Sequence, residues 1–244
     1  MTALPSRRDE AWRYSDLAAV AALWPPPPAR QIVVRAGEQR EELLRVHAGG
    51  IHDLRVDLGA GAALTLVLLV ESPGYARVFV EADLADAASL DLGAVLLAGG
   101  DATSEIVTDI RHQGPGASSR QRVRLVVDER ATGSCLGRIA VARGAQKTDA
   151  ALSARALVLK RTATANLKPE LEIFADDVQC AHGCTVGELD KSALFYLQSR
   201  GIGRVEAEAL LTRAFVADGF TRLKAGPARD ALEAATAQWL EARL

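Results

Sequence analysis

Thiolate and imidazole are favoured ligands of zinc, copper and iron. The sequence places two of its three cysteines around a histidine within five residues, Cys180-Ala181-His182-Gly183-Cys184. In an extended strand, residues two apart share a face. Asp176, Val178, Cys180, His182 and Cys184 then look one way, and Asp177, Gln179 and Ala181 the other. Positions two apart are ~6.7 Å from each other and positions four apart ~13 Å. Cys180 and His182 can therefore reach one ion together, whereas Cys184 joins them only if the chain folds back near Gly183. The other His and Cys residues, His47, His52, His112 and Cys135, supply no second pair at ligand spacing. A closed four-ligand centre cannot come from this stretch alone. Two readings stay open: small buried thiols beside a hydrogen-bonded core histidine, or half of a metal site completed by a partner subunit.

Other chemistries find less support. "GRIAVARGAQKT" has no glycine directly before Lys147, so the phosphate-loop pattern is absent and no nucleotide is expected on this chain. "GPGASS" and "GAGAAL" lack the third glycine of a dinucleotide fingerprint and read as turns. His112, Ser118 and Ser119 have the residue types of a nucleophilic site. They read instead as side chains bonding turn backbone.

The 244 residues are 49% hydrophobic and 25% charged with a net charge of −2, which suits a globular chain with a core of normal size. That balance gives no general attraction to nucleic acid or an anionic membrane. Arg120, Arg122 and Arg124 alternate with apolar residues, as on the wet face of a strand. The longest apolar run, Ala62 to Val70, is about half the roughly 20 residues a membrane helix needs. Arg7, Arg8, Asp9 and Glu10 are followed by no apolar signal region. An odd number of cysteines in a chain of this length argues against a disulfide framework. A cytoplasmic protein is expected.

The elements that must position Cys180 and His182 follow from the pattern. "LPSRRDEAWRYSDLAAVAALW" opens with Ser6 and Asp9 at capping-box spacing and ends at Pro25-Pro26-Pro27-Pro28, which cannot continue a helix. This predicts an N-terminal helical segment, 1–28. From 29 to 187 short β-type runs recur: "QIVVRA", "LRVDL", "LTLVLLV", "ARVFVEA", "RVRLVVD", "LGRIAVA", "ARALVLK" and "ELEIFA". Small-residue turns separate them, at about 15 to 18 residues over the second half, too short for a βαβ unit. Stacked coils fit, since one coil cannot bury its apolar face alone. A β-helix is the leading reading and an antiparallel sandwich the alternative. A helical domain, 188–244, follows. Asp190 is its first cap and Gly201 its first stop, and Ala207, Leu210, Leu211, Ala214 and Phe215 form one stripe. Those apolar stripes must cover either the open end of the solenoid or a partner's groove.

"KPELEIFADDVQCAHGCTVGELDKSALFYLQSRGI" closely resembles the SufD family of the SufBCD iron–sulfur cluster assembly machinery. The N-terminal "LPSRRDEAWRYSDL" resembles that family's opening motif. "GAQKTDA" and "HQGPGASSRQRVRLVVDERATGSCLGRI" match further along. The likeness covers most of the chain and is densest from about His112 to Gly201. The paralogous SufB family has Glu after the histidine. Here Gly183 follows His182, and Thr185-Val186-Gly187 come after Cys184, so SufD is favoured.

The resemblance implies a mainly β fold, a right-handed parallel β-helix core with a short N-terminal helical segment and a C-terminal helical domain. It implies a non-enzymatic scaffold that pairs with a SufB-like subunit through the core and binds a SufC-like ATPase through the C-terminal helices. A nascent Fe–S cluster or iron would be held transiently at the core interface. His182 is the implied ligand, with Cys180 its motif neighbour, which favours the half-site reading. Two departures stand out. The family usually carries a longer N-terminal helical region, and Cys184 stands where Ala is common and reads as neutral. Two alternatives remain: a stand-alone homodimeric β-helix, and a β-solenoid carbohydrate-active enzyme. The latter needs carboxylates grouped on one sheet, whereas Asp176 and Asp177 are adjacent and face oppositely.

Overall fold

The computed structural model describes residues 3–243. Alternating apolar residues between small-residue turns produce strands β1 (Arg30–Val34), β2 (Gln39–Val46), β3 (Gly50–Leu58), β4 (Ala63–Val70), β5 (Tyr75–Leu84) and β6 (Ser89–Ala98). They continue as β7 (Thr103–His112), β8 (Ser118–Val127), β9 (Thr132–Val141), β10 (Asp149–Val158), β11 (Thr164–Ile173) and β12 (Gln179–Gly187). Odd strands form one parallel sheet in the order β1-β3-β5-β7-β9-β11, and even strands form the other, β12-β10-β8-β6-β4-β2. This is a parallel β-helix with two strands per coil, which excludes the sandwich. Arg30 pairs with Leu54 and Thr132 with Thr164, so a coil advances 24 to 32 residues. The 15-to-18-residue period therefore measures one strand and its turn, half a coil.

Residues of both inner faces meet in one core that runs the length of the solenoid, from Ile32 and Val34 to Leu152 and Ala156. One corner of the coils shows why the turns stack. Gly37, Gly61, Ala87, Gly116 and Lys147 all have positive φ, between 54° and 71°. Each donates its backbone N–H to a carbonyl of the next coil: Ala60, Asp86, Pro115, Gln146 and Asp177 respectively, at 2.6 to 2.9 Å. Glycine holds three of the five places because a Cβ disfavours the left-handed region.

Buried polar groups sit inside this core. His112 Nε2 lies 3.0 Å from Ser119 Oγ, and Thr108 Oγ1 donates to Gln121 Oε1 at 2.7 Å. Ser119 thus bonds a histidine in the lumen rather than turn backbone. The His–Ser pair is fully shut from solvent, so no substrate reaches it.

The N-terminal segment is less helical than its pattern predicts. Ser6 and Asp9 do bond, the Ser6 N–H donating to Asp9 Oδ2 at 2.8 Å, but they close a turn that leads into a single 3-10 turn at Glu10–Trp12. Asp16 is the true cap, accepting from Ala18 and Ala19 at the start of α1 (Leu17–Ala22). The segment lies on the outer face of the odd sheet. Trp12 stacks over the Arg77 guanidinium, 3.8 Å from its ring centroid. Ser15 Oγ donates to Glu105, which also accepts from Arg77 at 2.9 Å in a buried ion pair.

The C-terminal helices are α2 (Lys191–Ser199), α3 (Arg204–Ala217) and α4 (Pro227–Glu241), with a 3-10 turn at Asp218–Phe220. Asp190 caps α2, and Gly201, at φ 87°, ends it as the sequence predicts. The helical layer lies on the flank of the even sheet and does not cover the open end. Val216, Phe220, Leu232, Trp239 and Leu240 pack on Val67, Leu69, Val95, Leu97 and Val126, the outward residues of the even sheet. The predicted stripe on α3 is also split. Ala207, Thr212 and Val216 are buried, whereas Leu210 and Ala214 are exposed. The sheet asks for a face turned slightly from the one that hydrophobicity alone selects.

Candidate functional site at the open end of the solenoid

β12 is the last strand of the even sheet and pairs only with β10. Cys180, His182 and Cys184 are registered against Ala150, Leu152 and Ala154. Those three residues belong to the inner core row, and alternation along the parallel ladder puts the cysteines and the histidine on the same row. The side-chain alternation read from the sequence thus holds from Cys180 to Cys184. It fails for Asp176, which lies before the strand begins. Asp176 accepts from Gln146 Nε2 at 2.9 Å, the Asp177 N–H donates to Gln146 Oε1 at 3.0 Å, and Lys147 pairs with the Asp177 carboxylate. Both aspartates therefore fasten the corner to the preceding coil and do not orient His182. "GAQKTDA" supplies the other half of that fastening.

The inward row of β12 opens on solvent because no described strand covers it. Leu152, one coil back, is buried, while His182 is exposed. Cys180 and Cys184 are half-buried against the core. His182 makes no side-chain hydrogen bond to the described residues, so the satisfied core-histidine reading does not hold. Cys135 is also inside the lumen, fully buried on β9. Burial, followed by the charge of Cys184, pushes its thiol up to about 12. Burial likewise raises the Cys180 and Cys184 thiols. All three are neutral thiols at pH 7, and a metal binding them must displace a proton.

Among the described residues no three His, Cys, Asp or Glu side chains are grouped to hold a metal ion. The structure thus presents Cys180 and His182 as two donors on successive inward positions of an edge strand. Such a pair can hold one side of an ion or cluster and needs further ligands from outside the chain. Sequence reading missed the surroundings. Ile173, at the end of β11, Phe174, just past it, and Val186, on β12, are exposed to 40%, 60% and 53%. They add exposed apolar surface on the two terminal strands. The signal was present in "ELEIFA", an apolar strand end that no further described coil stacks against.

The cation row read as a wet strand face is only partly wet: Arg120 and Arg122 keep some solvent exposure, and Arg124 does not. Arg120 pairs with Asp149, and Arg122 with Asp91. Arg124 is buried beneath the helical layer, where it pairs with Asp218. No described helix is long and apolar enough to cross a membrane.

Residues 44–215 match the family described as SUF system FeS cluster assembly, SufBD core domain. The chain is 39% identical over 111 residues to the iron-sulfur cluster assembly protein SufD of Escherichia coli (strain K12), which covers 46% of this chain and 26% of that protein. It is 39% identical over 117 residues to the protein ABCI7, chloroplastic, of Arabidopsis thaliana, covering 47% of this chain and 24% of the relative. It is 33% identical over 127 residues to the SufD of Bacillus subtilis (strain 168), covering 52% and 29%. The chain thus spans less than a third of the length of each of these relatives. With the family match running from β2 into α3, and with the Cys180–His182 strand inside it, this chain belongs to the SufBD core family of the SUF iron–sulfur cluster assembly system, as a member of SufD type.

Proposed function

We propose that this chain is a non-enzymatic scaffold subunit of a cytoplasmic SUF assembly machine. Its open end docks against a SufB-like subunit, and a nascent Fe–S cluster, the cargo, is held between them. His182 offers an imidazole nitrogen to iron, and Cys180 supports or shares that role after losing its proton. The observation that carries this reading is the exposed, incomplete donor pair on the terminal strand. The free edges of β11 and β12 can accept further strands, since an uncapped sheet edge is a template for pairing. Exposed Ile173, Phe174 and Val186 add apolar area for a partner to cover.

The helical layer gives the reading its second contact. Phe195, Tyr196, Val205 and Leu210 are exposed on α2 and α3, on the side of the core remote from the N-terminal segment. A SufC-like ATPase docks there and supplies the nucleotide chemistry, since this sequence has no phosphate loop. Leu210→Asp abolishes co-purification with that ATPase if the assignment holds. Leu211 is half-buried and is a poorer probe, because its replacement also disturbs the fold.

The deciding experiment is anaerobic iron–sulfur reconstitution of the complex co-expressed with SufB-like and SufC-like partners. His182→Ala and Cys180→Ala are compared with the unaltered chain by cluster absorbance and by transfer to an apo acceptor. Loss in His182→Ala, with a smaller loss in Cys180→Ala, supports the site. Normal loading and transfer in both variants sinks it. Size-exclusion chromatography with and without the partners separates this reading from a self-sufficient homodimer.

A further inference from the structure

Arg124 is a long cation buried to 3% exposure between two layers. Its Nε donates to Asp218 Oδ2 at 2.8 Å, and Nη2 donates to the same oxygen. Its Nη1 donates to the carbonyls of Val123 and Ser153, each at 2.9 Å. One guanidinium therefore holds the 3-10 turn of the helical layer, its own strand β8, and the neighbouring strand β10. Ser153 is registered against Gly183 on β12, one residue from His182, and Leu152 is registered against His182 itself. From Asp218 to the strand of the candidate site there are two protein contacts, Arg124 and Ser153.

The turn that carries Asp218 is itself seated on the sheet at backbone distance. A Cβ on Gly93 would lie 2.2 Å from the Gly219 carbonyl oxygen, and one on Gly219 would lie 2.5 Å from Val95 Cγ2. The backbone approach is possible because both residues are glycine. Beside it, Asp91 bridges Arg122 on β8 and Arg222 just past the turn. By contrast α2 buries no residue at all. The helical layer is thus fastened to the even sheet around Asp218 and Gly219.

We propose that Arg124 is a positioning residue through which the helical layer sets the placement of the β12 strand and hence of His182. A push on α3 moves Asp218, which ends that helix. The guanidinium follows its carboxylate because a buried Arg without its counter-charge is costly. The planar fork cannot rotate away from Asp218 without also disturbing the Ser153 carbonyl. β10 then shifts with the turn, and β12, which pairs with nothing else, shifts with β10. The physical basis is a contiguous hydrogen-bonded chain rather than spatial proximity alone. Its consequence for cluster handling rests on the proposed scaffold function. The link itself does not.

The test is amide hydrogen exchange on the full chain alone, with no partner, nucleotide or metal, comparing Asp218→Asn, Arg124→Gln and the double variant with the unaltered protein. Asp218 is nearly half exposed, so Asp218→Asn is expected to fold even if Arg124→Gln does not. Exchange in residues 179–187 is expected to rise about tenfold in each single variant, with residues 63–70 and 89–98 unchanged. The double variant is expected to go no further than either single one, because both remove the same contact. Unchanged exchange at 179–187 overturns the proposal. So does a uniform rise throughout the core, which is what a merely structural ion pair would give. A chain that passes this test and yet loads cluster normally as His182→Ala would retain the link and lose the scaffold reading, so the two failures are told apart.

Discussion

Leu152 and His182 occupy the same register position on adjacent strands, yet one is buried and the other exposed. The difference is a single coil. Leu152 has β12 beside it, and no described strand lies beyond β12 to cover His182. A residue that would be core in an interior coil is open to solvent on the terminal strand.

That relationship predicts opposite responses to truncation. Leu152→Ala should cost about 2–5 kcal/mol of stability, the usual range for a buried leucine. His182→Ala should stay within about 0.5 kcal/mol of the unaltered chain, as surface replacements do. Urea denaturation followed by circular dichroism measures both. A large loss in His182→Ala would mean that the histidine is structural.

The buried His112 predicts an acid weakness. Burial pushes its pKa from 6.5 down to about 4, so the imidazole is neutral in the fold. Between those values the unfolded chain binds a proton that the folded chain does not. Stability is therefore complete above pH 6.5, falls as the pH is lowered, and levels off below about 4. The full loss is about 3 kcal/mol. His112→Gln should flatten this part of the curve, read as denaturation midpoints at pH 7 and pH 4.5.

Glu105 holds Arg77 and Ser15 in a buried cluster under Trp12. Removing one partner of a buried pair leaves the other uncompensated. Glu105→Ala should then cost about 3–5 kcal/mol, and Ser15→Ala about 1 kcal/mol. Limited proteolysis should cut the N-terminal segment faster in the first variant than in the second. Equal cutting rates would show that the segment is held by something else.

Two glycines separate backbone conformation from crowding. Gly116 has φ 68° and no atom closer than 4.0 Å to the place its Cβ would take. Gly116→Ala should cost only the left-handed penalty of about 1–2 kcal/mol. Gly93 lies under the Gly219 carbonyl, so Gly93→Ala should cost more and should loosen the helical layer in particular. Thermal melts and exchange at residues 204–220 distinguish the two effects.

The fold was legible in the sequence to the extent that the coils repeat. The apolar runs at β1, β3, β4, β5 and β8 to β11 were visible because both faces, or one face and a turn, carry clear signals. β2 was not, since "QREELLRV" lies on the first coil and is largely exposed, and it reads as a charged helix as readily as a strand. β7 was hidden by lumen-facing Ser104, Thr108 and His112, polar where a core strand should be apolar. The donor spacing of Cys180 and His182 was legible because a strand has a fixed period. Their openness to solvent was not, because it depends on which coil is last. Arg124 was misread for a related reason. Alternating arginines describe a strand face faithfully but say nothing of what lies on it.

The corner at Gly37, Gly61, Ala87, Gly116 and Lys147 has a consequence for how such a chain can change length. Successive corners are 24, 26, 29 and 31 residues apart, yet each of these residues donates to the corner one coil ahead, so extra residues are absorbed within a coil while the column is kept. Gain or loss of a complete coil leaves the column intact. The unit that repeats in this molecule is therefore the corner and its hydrogen bond, not a fixed number of residues. Length can thus vary between corners while the terminal strand keeps its register on the coil before it.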